Sequence, residues 1–255
     1  MTDQPAHTSL YRSPALFSGF PELIAAESTR HGGISPTPFT SLNLGINTDD
    51  DVANVDENRR RFFRAIGANA YPFASSHQVH GNEVLYATES GRYTGYDALV
   101  TDKPGLLIGV TVADCVPVLV YDPAHKAVAA IHAGWRGTAG GIVTKTLARM
   151  QQQFGTEAER CYAYIGTCID ECTFDVGPEV AEQFDGAFKR AVADSNKSFV
   201  DLKAANAHLL LTAGIPATQL EISPFSTVLH NDTYFSYRAE KGQTGRMLAV
   251  IGVAD

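Results

Sequence analysis

The chain has one tryptophan, three methionines and only four cysteines in 255 residues, and each scarcity narrows what it can be. Four cysteines, at 115, 161, 168 and 172, are too few to staple so long a chain, so they are read as free thiols or metal ligands rather than a disulfide framework. Long apolar runs are missing as well. The longest stretch, LLIGVTVADCVPVLVY at 106–121, is too short to span a bilayer and carries Asp114 and Pro117 inside it. The first residues, MTDQPAHTSL, show neither the basic start nor the apolar segment of a secretory signal, which leads us to expect a cytoplasmic protein. Positive charge is in deficit: 20 basic against 28 acidic side chains give a net charge of -8, which disfavours nucleic acid as a partner. No linker-like tract, repeat or charge block divides the chain. With 44% hydrophobic residues it is expected to form one compact domain over 15–255, preceded by a loosely docked arm over 1–14.

What is present is a mixture of periods. DDVANVDENRRRFFRAIG (50–67) puts Val52, Val55, Phe62 and Ile66 near helical spacing, with Asp at its head and Gly67 at its end, and predicts an amphipathic helix. LLIGVTV (106–112), VPVLVY (116–121) and AVAAIH (127–132) read as buried neighbouring strands, the last two joined by the turn-like DPAHK. Beyond Gly137, Ile142, Val143, Leu147, Met150 and Phe154 return to helical spacing. CYAYIG (161–166) and RMLAVIGV (246–253) read as strands. PEVAEQFDGAFKRAV (178–192) and DLKAANAHLLLTAG (201–214) read as helices, the first opened by proline and the second by Asp201. Strands and helices mix without strict alternation, which favours a mixed-sheet α/β or α+β domain over a doubly wound one.

Three ligand-type residues stand at the ends of apolar segments: His80 in SSHQVHGNEV, Cys115 in VTVADCVPVLV and His132 in AAIHAGWRG. Their separations match no zinc-finger spacing. Brought together by adjacent strands, they would form a His2Cys set that leaves a metal's fourth position open for water or substrate. Kept apart, they are a satisfied histidine, a small buried cysteine and a turn histidine. Spacing alone leaves both readings open.

Taken in order, TRHGGISPTPFTSLNLG, SSHQVHGNEV, ADCVPVLVYDP, IHAGWRGTAGGIV, DVGPEV, DLKAAN and FSYRAEKGQTGR resemble successive motifs of the YfiH family, the laccase-domain proteins, from about residue 28 to the C-terminus. The resemblance implies an α/β/β/α domain with mixed sheets and a zinc held by the histidine of QVHG, the cysteine of ADC and the histidine of HAGW, here His80, Cys115 and His132. It implies purine nucleoside phosphorylase activity on adenosine, inosine and 5′-methylthioadenosine, with adenosine deaminase activity beside it, and so small nucleosides and phosphate as partners. Copper is the alternative metal, through a laccase-like polyphenol oxidase.

Phosphorolysis must hold an anionic phosphate near C1′ and let the purine leave with a proton. The planar fork of arginine suits that anion. Arg136 after the ligand strand and Arg238 in FSYR are the candidates, whereas Arg59, Arg60, Arg61 and Arg64 are read as solvating a helix face. Deamination needs activated water, which an open metal site can supply. Asp114 is read as a proton shuttle or as a brace for a histidine, or else as a turn carboxylate. His77 is a candidate for the same cleft. Asn43 is a candidate for substrate contact, with a turn role as the plainer reading. Trp135 and Phe235 are candidates for base stacking or core.

The chain departs from the family in GTCIDECTFDVG, where Thr167 and Asp170–Glu171 replace a proline-rich turn, and in Ser226–Thr227, which replaces a Cys-Thr pair. Three rival functions follow. A multicopper oxidase is disfavoured by eight histidines with no His-x-His pair. A cysteine hydrolase would use Cys115 as nucleophile and His132 as base. A peptidoglycan-related binding module would use the metal only as a staple.

Overall fold

The structure, a computed structural model, describes residues 9–255. Its strands are β1 (Tyr11–Arg12), β2 (Leu23–Ser28), β3 (Phe73–His77), β4 (Val84–Tyr86), β5 (Gly91–Thr94), β6 (Ala98–Thr101), β7 (Leu107–Val112), β8 (Val116–Asp122), β9 (Ala127–Ala133), β10 (Tyr162–Ile165), β11 (Asp175–Val176), β12 (Lys189–Ala191), β13 (Ser198–Val200), β14 (Leu220–Ile222) and β15 (Met247–Val253). The helices are α1 (Val52–Ala65), α2 (Trp135–Ala139), α3 (Ile142–Phe154), α4 (Pro178–Ala181) and α5 (Leu202–Thr212).

Two six-stranded sheets stack face to face. The first runs β1-β2-β15-β7-β3-β5 and the second β14-β10-β8-β9-β6-β4, while β11-β13-β12 form a small third sheet. Both large sheets mix parallel and antiparallel pairs. Between them lies one apolar layer, in which Ile108, Val110 and Ile251 of the first sheet meet Leu119, Tyr121 and Ala130 of the second. The outer face of the second sheet packs Val118, Val120 and Ile131 under Val143, Leu147 and Met150 of α3 and Leu210 of α5. The outer face of the first packs Leu248 and Val250 under Phe62 of α1. The order of layers is therefore helix, sheet, sheet, helix. β8 and β9 are buried along their whole length, which explains why they read as unbroken apolar runs rather than alternating ones.

Local chemistry marks the element ends. The Asp51 carboxylate accepts from Ala53 N at 2.9 Å at the head of α1, and Asp201 accepts from Ala204 N at 2.8 Å at the head of α5. α3 begins and ends on glycines in the left-handed region, Gly141 at φ 71° and Gly155 at φ 79°. The helix expected beyond Gly137 thus arrives in two pieces, broken at Gly140–Gly141.

Two expectations need correction. Residues 106–112 do not neighbour 116–121: β7 pairs with β15 and β3 in the first sheet, while β8 lies in the second between β10 and β9. The helix expected over 178–192 stops after one turn at Ala181. Asp185 caps a new turn at Ala187 N, and Lys189–Ala191 pair with Ser198–Val200 instead, so sheet pairing overrides the helical spacing of Val180, Phe184 and Phe188. Of the arm expected over 1–14, residues 1–8 lie outside those described, and Tyr11–Arg12 pair with Glu27–Ser28 of β2. Among the described residues no helix is long and apolar enough to cross a membrane.

Candidate metal and anion site

Cys115 sits where the chain leaves β7 in the first sheet and enters β8 in the second. His80 lies in the crossing from β3 to β4, which again passes from one sheet to the other, and His132 lies near the end of β9. These crossings converge at one end of the sandwich. A nitrogen of each histidine and the Cys115 sulfur all lie within 4.8 Å of one another, with the two imidazoles edge to face at 4.8 Å between centroids. Gly134 makes the approach feasible: a Cβ there would stand 3.1 Å from the Cys115 sulfur and 3.3 Å from His80 Cδ2.

Asp97, at the head of β6 and fully buried, organises this set. Its carboxylate accepts from Val79 N at 3.1 Å, His80 N at 3.0 Å and Gly81 N at 2.8 Å, so three consecutive amides fold the His80 loop around one side chain. The same carboxylate lies 2.7 Å from His132 Nδ1. An ionised carboxylate only accepts, so Nδ1 carries a hydrogen and Nε2 is the nitrogen left to serve as a metal ligand once it gives up its proton. Desolvation would push the Asp97 carboxyl up, but its bond to His132 and the loop amides hold it below its usual range. Burial likewise raises the Cys115 thiol, yet His132 and His80 outweigh it and bring it down to about 6. For His132, burial favours the neutral ring, and the Cys115 thiolate and Asp97 reverse that, raising it to about 9. A thiolate and two imidazoles at this separation are the donor set of an open three-ligand site, and they fit zinc or copper.

The set opens onto a cleft of about 590 Å³. Four arginines line it: Arg59 from α1, Arg92 from β5, Arg238 and Arg246. Arg238 is already engaged, donating to Asp175 Oδ1 at 2.7 Å and to the Thr173 carbonyl at 3.2 Å. Arg59, Arg92 and Arg246 have no carboxylate within ion-pair distance among the described residues. Arg59 donates to the Leu44 carbonyl at 3.0 Å, and burial together with the neighbouring Arg92 lowers it to about 10. Burial also lowers Arg246, whose Nη1 donates to the carbonyls of Thr244 and Gly245. Three unpaired guanidiniums on a chain of net charge -8 make a local anion site. Ile46, Phe174 and Tyr237 add apolar surface to the same cleft.

The other sequence candidates fall on both sides of this boundary. His77 and Asp114 line the cleft. Asp114 does not brace a histidine. At φ 88° it turns its carboxylate to Thr227 Oγ1 at 2.5 Å and Arg238 N at 2.6 Å, and Asp97 takes the bracing role. Arg136 is outside the cleft lining, exposed and stacked 4.2 Å over the Trp135 ring. Asn43 is fully buried and does not line the cleft. It donates to Thr48 Oγ1 and Asp50 and accepts from Gly45 N and Arg246 N, which places Arg246. Trp135 packs on the helical layer and Phe235 is fully buried under Arg30. Cys161 and Cys168 are buried, and burial pushes both thiols up, Cys161 to about 12; Cys172 is exposed.

Sequence reasoning missed Asp97, Arg92 and Arg246 and dismissed Arg59. Asp97 had one available signal, a lone carboxylate directly before the apolar run Ala98–Leu99–Val100. The arginines had none, because their convergence depends on how α1, β5 and the approach to β15 pack.

A two-sheet sandwich with a His2Cys set at its crossings defines a class already known. Residues 24–254 match the family described as multi-copper polyphenol oxidoreductase laccase, and the chain belongs to it. A purine nucleoside phosphorylase of Deinococcus radiodurans is 40% identical over 230 residues, covering 89% of this chain and 88% of that protein. The purine nucleoside phosphorylase YfiH of Escherichia coli is 37% identical over 232 residues, covering 89% and 92%. The crystal structure of YlmD from Geobacillus stearothermophilus superposes with a TM-score of 0.89 at 31% identity, covering 96% and 99%.

Proposed function

We propose that the chain is a zinc-dependent purine nucleoside phosphorylase acting on adenosine, inosine and 5′-methylthioadenosine, with adenosine deamination as a second activity. One observation carries the reading: three unpaired arginines share a cleft with the His2Cys set. Phosphorolysis needs an anion beside C1′ of a nucleoside, and Arg59, Arg92 and Arg246 supply donors for it. In the reaction the C1′–N bond breaks, a phosphate oxygen bonds to C1′, and the purine leaves with a proton. Phe174 and Tyr237 offer flat apolar surface for the base. His80, Cys115 and His132 would hold the zinc, whose contribution is Lewis acidity. Asp114 orders the Thr227 and Arg238 segment that closes one side.

A copper oxidase of this family would need several metal clusters, and the one such group among the described residues supports a single ion. A second reading does have a specific observation behind it. With Asp97 on His132, the residues Cys115, His132 and Asp97 form a thiolate, imidazole and carboxylate series of the kind cysteine hydrolases use. The two readings separate on one experiment. Zinc-loaded protein is incubated with adenosine, with and without phosphate, beside Cys115→Ala and Arg246→Ala. Adenine that appears only with phosphate, is lost in Cys115→Ala and needs more phosphate in Arg246→Ala supports phosphorolysis, and inosine reports deamination. No product from zinc-loaded protein, together with rapid alkylation of Cys115 in the metal-free form, favours the hydrolase.

A further inference from the structure

The edge of the first sheet carries an arrangement that phosphate binding does not explain. β3 and β5 are parallel, with Ser75 opposite Arg92 and His77 opposite Thr94. Side chains two apart on a strand share a face, so Arg92, Ser75 and His77 point to the same side, and all three line the cleft. Asn47, from the loop before α1, fits between the two larger side chains. Its Oδ1 accepts from Arg92 Nη2, and its Nδ2 lies 2.7 Å from His77 Nδ1.

The donor inventory leaves one arrangement. A guanidinium has no acceptor, so the Asn47 oxygen must face Arg92 and its NH2 must face His77. An NH2 can only donate, so His77 Nδ1 must be the bare nitrogen. In the neutral ring the hydrogen then sits on Nε2. The series Arg92 to Asn47 to His77 thus relays the fixed polarity of an arginine to the tautomer of a histidine. If the cleft required only more attraction for an anion, a cation at position 77 would serve. The relay instead provides a neutral N–H, which suits a neutral lone pair such as a purine ring nitrogen or a ribose hydroxyl.

We propose that Asn47 is a positioning residue that sets His77 as an Nε2–H donor to the nucleoside, separate from the arginines that hold phosphate. The ligand in this proposal rests on the phosphorylase reading, whereas the tautomer does not.

The test has two arms on zinc-loaded, full-length protein. Long-range 1H–15N spectra of histidine-labelled protein at mildly alkaline pH report which His77 nitrogen carries the hydrogen. Nε2–H is expected in the wild type, with a mixture of tautomers in Asn47→Ala. Nδ1–H in the wild type, or an unchanged ring in Asn47→Ala, overturns the relay. In steady-state assays His77→Ala and Asn47→Ala are expected to raise the inosine KM about 3–10-fold, the worth of one hydrogen bond, and His77→Ala, which leaves the Asn47 contact to Arg92 in place, is expected to keep the phosphate KM within about twofold. His77→Gln, which keeps a neutral N–H, is expected to fall closer to the wild type. An equal rise in the phosphate KM of His77→Ala, or none for inosine in either variant, overturns the assignment to the nucleoside. If wild-type protein turns over no nucleoside while the spectra show the Nε2–H ring, the functional reading and its ligand fall and the relay stands.

Discussion

Replacing Asp97 with asparagine should separate the metal site from the cleft around it. The carboxylate takes four donors, three from the amides of Val79, His80 and Gly81 and one from His132 Nδ1, at 2.7–3.1 Å. An amide has a single oxygen. Each oxygen accepts from two of them, so whichever way the substituted side chain turned its NH2 would face two N–H groups, and both would lose their acceptor. Each such loss costs about 1–3 kcal/mol, so stability should fall by about 2–6 kcal/mol, or about 5–20 °C in Tm for a chain of this length. His132 would also lose the partner that fixes its tautomer, and loss of such a partner weakens metal binding about 10–100-fold, or about 1.4–2.7 kcal/mol. Competition against a chromophoric chelator measures zinc affinity, and calorimetry of the metal-free protein measures stability independently. Asp114→Asn is the control, since its carboxylate serves Thr227 and Arg238; it should leave zinc affinity within about twofold while changing substrate KM. Zinc affinity in Asp97→Asn within about twofold of wild type would refute the reasoning.

Further outcomes follow from the same geometry. Gly134→Ala would press a methyl group against the Cys115 sulfur and His80, so chelator competition should show weakened zinc binding while circular dichroism stays unchanged. Arg246→Ala should raise the phosphate KM by about tenfold or more, since charge-assisted hydrogen bonds are worth about 1.5–3 kcal/mol; Arg136→Ala, outside the cleft, should leave it unchanged, and equal effects of the two would reject the anion site. Glu27 is fully buried beneath Tyr164 and Thr167, and desolvation outweighs its hydrogen bonds and raises its carboxyl above the usual range. The folded state therefore keeps a proton that the unfolded chain releases. That stability is complete below the unfolded pKa of about 4.3 and declines as pH rises toward the folded value, by up to about 1.4 kcal/mol per pH unit. Glu27→Gln should flatten the decline, and urea midpoints at acidic and neutral pH that move in parallel for both proteins would contradict this.

How much of this was legible in the sequence depended on whether a feature was local. Asp51 and Asp201 announced their helices because a cap acts within one turn of its own residue. β8 and β9 announced themselves because both faces of each are covered. The order of strands did not, since β7 reads like its neighbours and yet belongs to the other sheet. Residues 178–192 misled because Val180 and Phe184 do bury their side chains, at a spacing a helix shares with a turn packed on a core. For the site, the three ligands were named from segment ends and from the family resemblance, while the group that orients them was not. Asp97 left only the faint mark of a carboxylate before a strand, and the arginines reach their places through register and packing, which leave no mark on the residue types around them.

Two of the three ligands stand where the chain crosses between the sheets, and the third stands on the sheet that both crossings enter. An ion there would act as a rivet through a joint, so its binding free energy would be stored in the relation between the two sheets as well as in the cleft. Stripping the metal should then loosen the joint before it melts either half. Amide exchange would quicken first around Val79–Asn82 and Ala113–Cys115, while α3 and α5, clamped to the far face of the second sheet, keep their protection. In mechanical terms the protein would fail by unhinging rather than by unravelling.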